Sequence, residues 1–199
     1  MIPARVRAAV VALVSGLVLA GCSGSGGTSD TSGYVAGAGE ITVVPADERA
    51  DAPVLTGEDL EGNPLSTADW AGETIVVNVW GPWCPPCREE MPALKQVAEE
   101  YADQEVKFVG VLNRSKSDTA LAYTDKIGLP YPTFADQGGR LELQFNDSLP
   151  TIAVPTTWII DPDGKVAVRI AVDGLTASTL AGLVDDVKAD AAAGSGAGA

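Results

Sequence analysis

The sequence predicts an α/β fold in which helices flank a mixed central sheet. Three observations carry that expectation. Two runs, Ile75–Trp80 and Val106–Leu112, are apolar along nearly their whole length and rich in β-branched residues, as strands covered on both faces of a sheet must be. Each run is followed by a segment whose apolar residues recur at helical spacing. The turn sequence Asp161-Pro162-Asp163-Gly164 then joins two further β-type runs ahead of a last helical pattern, which completes the order strand, helix, strand, helix, hairpin, helix.

Taken in order, the folded domain is expected over residues 40–188. Ile41-Thr42-Val43-Val44 reads as a short edge strand closed by Pro45. Residues 52–56 and 63–66 flank a turn at Glu61-Gly62-Asn63 and read as a small N-terminal hairpin. Thr67 to Gly72 makes one helical turn, in which Trp70 packs the hairpin onto the core; a substrate contact is the other use of that ring. The helix after Trp80 has apolar residues at Met91, Leu94, Val97, Ala98 and Tyr101, with Pro92 inside it as an expected kink. Ser117-Asp118 caps a helix running to about Ile127, which Gly128 and Pro130 end. Residues 132–135 are a short extended run, and 139–145 a short helical or irregular one. Residues 156–160 and 165–172 form the hairpin, and Thr176 caps a final helix with Leu180, Leu183, Val184 and Val187 on one face.

Trp83-Cys84-Pro85-Pro86-Cys87 stands where the first buried strand passes into the first helix. A thiol at a helix start meets unpaired backbone N–H groups and the positive end of the helix dipole, both of which favour the reactive thiolate. Cys84 is therefore the expected nucleophile. Cys87, one turn on and on the same side of the helix, is the expected resolving thiol. Pro85 and Pro86 suit a first turn, where a missing N–H costs nothing. A plain disulfide staple is the simpler alternative, and a zinc site lacks partners, because the chain has no His and only one other Cys, at position 22.

The ends have a different character. Residues 1–21 combine Arg5 and Arg7 with the short apolar run Ala8–Ala20, the pattern of a cleaved export signal and too short for the roughly 20 apolar residues of a membrane span. Leu19-Ala20-Gly21-Cys22 resembles the lipobox of bacterial lipoproteins, which implies cleavage before Cys22 and its acylation. An ordinary signal peptide with an unpaired Cys22 is the alternative. Residues 22–39, rich in Gly, Ser and Thr, read as a flexible tether, and 189–199, rich in Ala and Gly, as a disordered tail. With Arg5 and Arg7 removed, 11 of the 13 basic residues remain against 27 acidic ones, a side-chain net charge of about −16. So acidic a surface argues against nucleic acid and against electrostatic adhesion to anionic lipid, which leaves attachment to the acyl chains.

Trp80-Gly81-Pro82-Trp83-Cys84-Pro85-Pro86-Cys87 with Glu90 and Pro92, together with Val154-Pro155-Thr156-Thr157-Trp158-Ile159-Ile160-Asp161, resembles the TlpA/ResA-like branch of the thioredoxin superfamily. The resemblance spans about Ala52 to Lys188. It implies a thioredoxin-like fold with the N-terminal hairpin as an extension and a central αβ unit as an insertion. It also implies a cis Val154–Pro155 bond facing the dithiol, which would offer the Val154 backbone to an extended substrate. Asn78 stands where many cytoplasmic thioredoxins have a buried Asp. Glu90, matching the pattern Cys-x-x-Cys-x-x-Glu-x-Pro, is then the implied proton acceptor for Cys87, the alternative being a solvated charge at a helix start. Trp83 is expected to shield the disulfide and touch the partner, or to be purely structural, and Glu89 to be solvated.

The function implied is a membrane-tethered, extracytoplasmic thiol-disulfide oxidoreductase. Its substrates would be protein dithiols or disulfides, by family resemblance the haem-site cysteines of apocytochrome c, and a membrane thiol transporter would recharge it. No metal or organic cofactor is expected beyond the redox-active Cys84–Cys87 pair. The absence of His argues against copper handling, and Gly81, where a peroxiredoxin would have Thr, against peroxide reduction. Two other readings remain open: an oxidant or isomerase of exported proteins, and a non-catalytic tethered module that clamps peptides.

Overall fold

A computed structural model of the chain describes residues 39–196. The expectations for residues 1–21, for Cys22 and for the tether up to residue 38 lie outside them. The strands are β1 (Gly39–Val43), β2 (Thr56–Glu58), β3 (Pro64–Ser66), β4 (Thr74–Trp80), β5 (Val106–Leu112), β6 (Thr133–Phe134), β7 (Thr156–Ile160) and β8 (Val166–Val172). The helices are α1 (Pro85–Glu100), α2 (Ser117–Ile127) and α3 (Ala177–Gly196), with 3₁₀ turns at Ala46–Glu48, Thr67–Trp70 and Glu142–Asp147.

Six strands form one mixed sheet in the order β1-β8-β7-β4-β5-β6, and β2 pairs with β3 as a separate hairpin. β4, β5 and β6 run parallel, whereas β7, β8 and β1 each run antiparallel to their neighbour. All seven residues of β4 are buried, as its continuous apolar pattern requires of a central strand. Side chains alternate across the sheet, so Val76 and Trp80 face Met91, Leu94 and Val97 of α1 and Leu180, Val184 and Val187 of α3. Ile75, Val77 and Val79 face the other way, toward Phe134, Phe145 and Trp158. By the same alternation Asn78 shares the face covered by α1, which decides what it can touch.

The fold is the thioredoxin-like α/β sandwich expected, and α2 with β6 forms the central αβ unit. α1 runs on through Pro92. Several boundaries differ from the sequence pattern. β1 begins at Gly39, a residue assigned to the tether, because its backbone continues the antiparallel ladder opposite Val172 of β8. The first arm of the small hairpin is 56–58 rather than 52–56; Leu55 of the expected arm is instead buried in the core. α2 has Lys116 at its N-cap with no side-chain cap, and Ser117 is already helical. The largest difference is at the C-terminus, where α3 continues to Gly196 through residues read as a disordered tail. Alanine has the highest helix propensity, and the extension is anchored by Asp190, which accepts from the buried Arg49 at 2.7 Å. Arg49 also pairs with buried Asp161 at 3.1 Å and donates to the Val44 carbonyl.

Candidate active site

The chain reverses direction at Gly81–Trp83 and enters α1 with Cys84 as the N-cap. Two prolines occupy the first helical positions, so the start of α1 is set by residues whose backbone is already helical in φ. Cys84 and Cys87 are joined by a disulfide with Cα atoms 5.3 Å apart. The Cys87 backbone N–H points at Cys84 Sγ from 3.2 Å, the capping interaction that a thiolate there would strengthen. Both cysteines are buried, Cys84 to 2% and Cys87 to 0% exposure, so a partner must approach through the rim around them.

That rim has two sides. On one, the Val154–Pro155 bond is cis and the Val154 carbonyl oxygen lies 3.8 Å from Cys84 Sγ. A disulfide sulfur has no proton to give, so this is a contact now and a site the reduced thiol can donate to. The loop before it is held by side chains: Trp158 donates to the Leu149 carbonyl at 2.7 Å and Thr156 to the Ala153 carbonyl at 2.6 Å. On the other side Trp83, half exposed, donates its indole N–H to the Asn113 carbonyl at 2.9 Å. The ring lies against Gly81, where a Cβ would come 2.5 Å from Nε1. The Asn113 amide in turn donates to both oxygens of Glu142 at 3.0 Å, and burial holds the Glu142 carboxyl above its ordinary range. Of the apolar side chains in the region, Ile152 stands exposed on the loop beside Val154.

Behind the disulfide, Glu90 follows Cys87 by three residues and shares its face of α1. It is buried to 2% exposure, whereas Glu89 beside it is exposed. Burial pushes its pKa up to about 8, against the pull of the Asn78 hydrogen bond and with a smaller push from the Asp173 charge. Asn78 Nδ2 donates to Glu90 Oε1 at 2.9 Å and to Thr157 Oγ1 at 3.0 Å, so one amide of β4 ties the acid to β7. The residue noted in the sequence only for not being Asp is thus the acid's direct partner.

Sequence reasoning placed Cys84, Cys87, Glu90, Trp83, Pro85, Pro86, Val154 and Pro155, and the structure brings all of them to one end of the sheet. It did not find Asn113, Glu142 or Thr157. A usable signal existed for Asn113, a polar residue just past the C-terminal end of a buried parallel strand, where α/β sheets place their sites. Thr157 carried no such signal: it lies near the start of β7, which runs antiparallel to both of its neighbours.

Comparison with known proteins agrees with this arrangement. Residues 49–169 match the AhpC/TSA family. The thiol-disulfide oxidoreductase ResA of Bacillus thuringiensis subsp. konkukian is 31% identical over 121 residues, 60% of this chain and 67% of that protein. The ResA of Bacillus subtilis is 31% identical over 134 residues, 67% of this chain and 72% of that protein. Among solved structures, a DsbF homologue from Corynebacterium diphtheriae superposes with a TM-score of 0.68 at 29% identity, covering 73% of this chain and 92% of its own. With its paired cysteines at the helix start and the cis proline opposite them, this chain belongs to the AhpC/TSA family of thioredoxin-like proteins and is a thiol-disulfide oxidoreductase of the ResA type.

Proposed function

We propose that the protein is an extracytoplasmic disulfide reductase tethered to the outer face of the cytoplasmic membrane, with Cys84 as nucleophile, Cys87 as resolving thiol and Glu90 as proton acceptor. The observation that carries the mechanism is the buried carboxyl of Glu90 one turn beyond Cys87. In the reduced enzyme the Cys84 thiolate attacks one sulfur of a target disulfide; the target S–S bond breaks and its other sulfur leaves as thiolate, taking a proton from solvent. Cys87 then attacks Cys84 in the mixed disulfide and passes its proton to Glu90, and the second target thiolate leaves. Two electrons have moved from the enzyme dithiol to the target. A Glu90 with pKa about 8 holds a proton at neutral pH in the disulfide form, which is the state this transfer leaves behind.

Substrate docking is assigned to the rim. An extended target pairs its backbone with Val154 beside cis-Pro155, while Trp83 and the Pro85-Pro86 turn supply apolar contact. The reductive direction, the apocytochrome c haem-site cysteines as targets and a membrane thiol transporter as electron donor rest on the resemblance of the Trp80–Pro92 and Val154–Asp161 motifs to the TlpA/ResA-like branch; the relatives' names give thiol-disulfide oxidoreductase alone. Tethering rests on the export pattern of residues 1–21 and the lipobox-like Leu19-Ala20-Gly21-Cys22. Among the described residues no helix is long and apolar enough to cross a membrane; the anchor we assign, lipid on Cys22, rests on the lipobox-like sequence alone.

The reduction potential of the Cys84–Cys87 pair, from equilibration with glutathione or dithiothreitol buffers, is the test. A value near the reducing end of the range, about −270 mV, supports the reading, and one near the oxidising value of about −120 mV overturns it in favour of an oxidant. Mass spectrometry of the protein from native membranes is expected to show an acylated Cys22 at the N-terminus; an unmodified Cys22 refutes the anchor.

A further inference from the structure

The loop that carries Val154–Pro155 is held by a third side chain, from a strand that does not adjoin it. Arg169 of β8 is buried to 6% exposure and donates from one terminal nitrogen to the Pro150 carbonyl at 2.9 Å. Its other terminal nitrogen meets Glu40 Oε1 at 2.8 Å and Thr42 Oγ1 at 3.1 Å, both on β1. Thr42 also donates to the same oxygen of Glu40 at 2.5 Å. The register makes the chain of contacts direct, because Arg169 lies opposite Thr42 on one side and Trp158 on the other, and Trp158 holds the neighbouring Leu149 carbonyl.

We infer that Arg169 is a positioning residue for substrate docking, and that β1, through Glu40 and Thr42, is part of the device that sets the cis-proline loop. A guanidinium is planar and its donors are fixed relative to one another. Seated on Glu40 and Thr42 through Nη2, it presents its other terminal nitrogen, Nη1, to Pro150, five residues before Pro155, while the buried Nε finds no hydrogen-bond partner. The Leu149, Pro150 and Ala153 carbonyls are then all fixed by side chains of the sheet, and these bonds set the position of Val154, whose carbonyl lies 3.8 Å from Cys84 Sγ. The Thr42 hydrogen bond, with the Arg169 guanidinium adding to it, holds the Glu40 carboxyl below its ordinary range, so the seat stays charged at neutral pH. The strand that provides it is also the one joining residues 22–38 to the domain. β1 is thereby tied to the docking loop through the Arg169 side chain as well as through the β1–β8–β7 ladder.

The inference rests on the reading that the Val154–Pro155 loop docks substrate, and the test separates the two. The full-length protein is prepared with Glu40→Ala and Thr42→Val together, with the conservative pair Glu40→Gln and Thr42→Ser, with Arg169→Met, and with Pro155→Ala. Each is assayed for reduction of insulin, as a protein disulfide, and for the potential of the Cys84–Cys87 pair. The Ala/Val pair is expected to raise KM for insulin about five- to tenfold, with kcat and the potential within twofold, and the Gln/Ser pair to restore most of the loss. Arg169→Met should reproduce the rise in KM if it folds; the β1 pair carries the test if it does not. Unchanged KM in the β1 pair while Pro155→Ala raises it overturns the role of β1 and Arg169. Unchanged KM in Pro155→Ala as well overturns loop docking and the inference with it. A fall in kcat or a shifted potential without a KM effect assigns Arg169 to general stability and also overturns it.

Discussion

Glu90 is the group whose replacement reports most directly on the site. Glu90→Gln keeps an oxygen where Asn78 Nδ2 donates at 2.9 Å and keeps the volume, but it cannot ionise. The wild-type carboxyl ordinarily titrates near 4.5 and in the fold near 8, chiefly because burial disfavours the anion. A raised carboxyl pKa means that the folded state binds a proton more tightly than the unfolded chain does. Below pH 4.5 both states are protonated and the stability of the fold is undiminished; it falls as pH rises from there and levels off above about 8. At 1.36 kcal/mol for each pH unit of difference, the full loss is about 5 kcal/mol, and relaxation of a site that admits water reduces it to roughly 2–5 kcal/mol. Urea unfolding of the oxidised protein at pH 5, 7 and 9 is therefore expected to give similar stabilities for the two proteins at pH 5 and a variant that is more stable by that amount at pH 9. The same variant should reduce insulin about a hundredfold more slowly and lose the pH-dependent limb that Glu90 contributes. A stability difference independent of pH would show that the carboxyl is not buried as an acid, and an unchanged pH–rate profile would remove it from proton transfer.

Cys84→Ser is expected to abolish exchange, while Cys87→Ser should accumulate mixed disulfides at Cys84, visible by non-reducing electrophoresis and mass spectrometry; activity retained in Cys84→Ser would favour a peptide clamp. Gly81→Ala puts a Cβ where the Trp83 indole lies, so the ring must swing out and release the Asn113 carbonyl, at about 1–3 kcal/mol, followed through the shift of the Trp83 indole N–H resonance. An unmoved resonance would contradict that packing. The Arg49 cluster should split by exposure. Asp161→Ala strips the buried guanidinium of its 3.1 Å partner and is expected to cost about 3–5 kcal/mol, whereas Asp190→Ala removes a half-exposed carboxylate and costs at most about 1 kcal/mol in denaturant unfolding. Comparable losses would mean that the extended end of α3 is fastened more firmly than its exposure implies.

The parts of the site that were legible in the sequence are those written in residue types that have few other uses. Two cysteines at helical spacing around two prolines state where a helix begins and what chemistry sits there, and a run from Ile75 to Trp80 that is apolar except at Asn78 states that β4 is central. The cis proline and the role of Glu90 needed the family resemblance, since neither a cis bond nor the burial of one glutamate leaves a local mark. Asn113, Glu142 and the Arg169 network were invisible because their partners lie 29 and as many as 129 positions away along the chain, and no local pattern marks such pairs. The extension of α3 was missed for a related reason. A run of Ala and Gly carries no hydrophobic period, so nothing in the pattern distinguishes a helix that outlives its packing face from an unstructured tail, and its tie to Arg49 spans 141 positions.

The close fit of Trp83 against Gly81 binds two positions into one inherited choice. Any side chain at 81 would occupy the place of the indole, so a descendant chain that filled the first position would have to vacate the second in the same step. Each change alone leads through a protein that has lost the indole's seat or left it empty. Chains related to this one are therefore expected to hold the pair together or exchange it together, and the threonine on which peroxide chemistry would depend at 81 cannot be reached from here by a single substitution while the tryptophan keeps its seat.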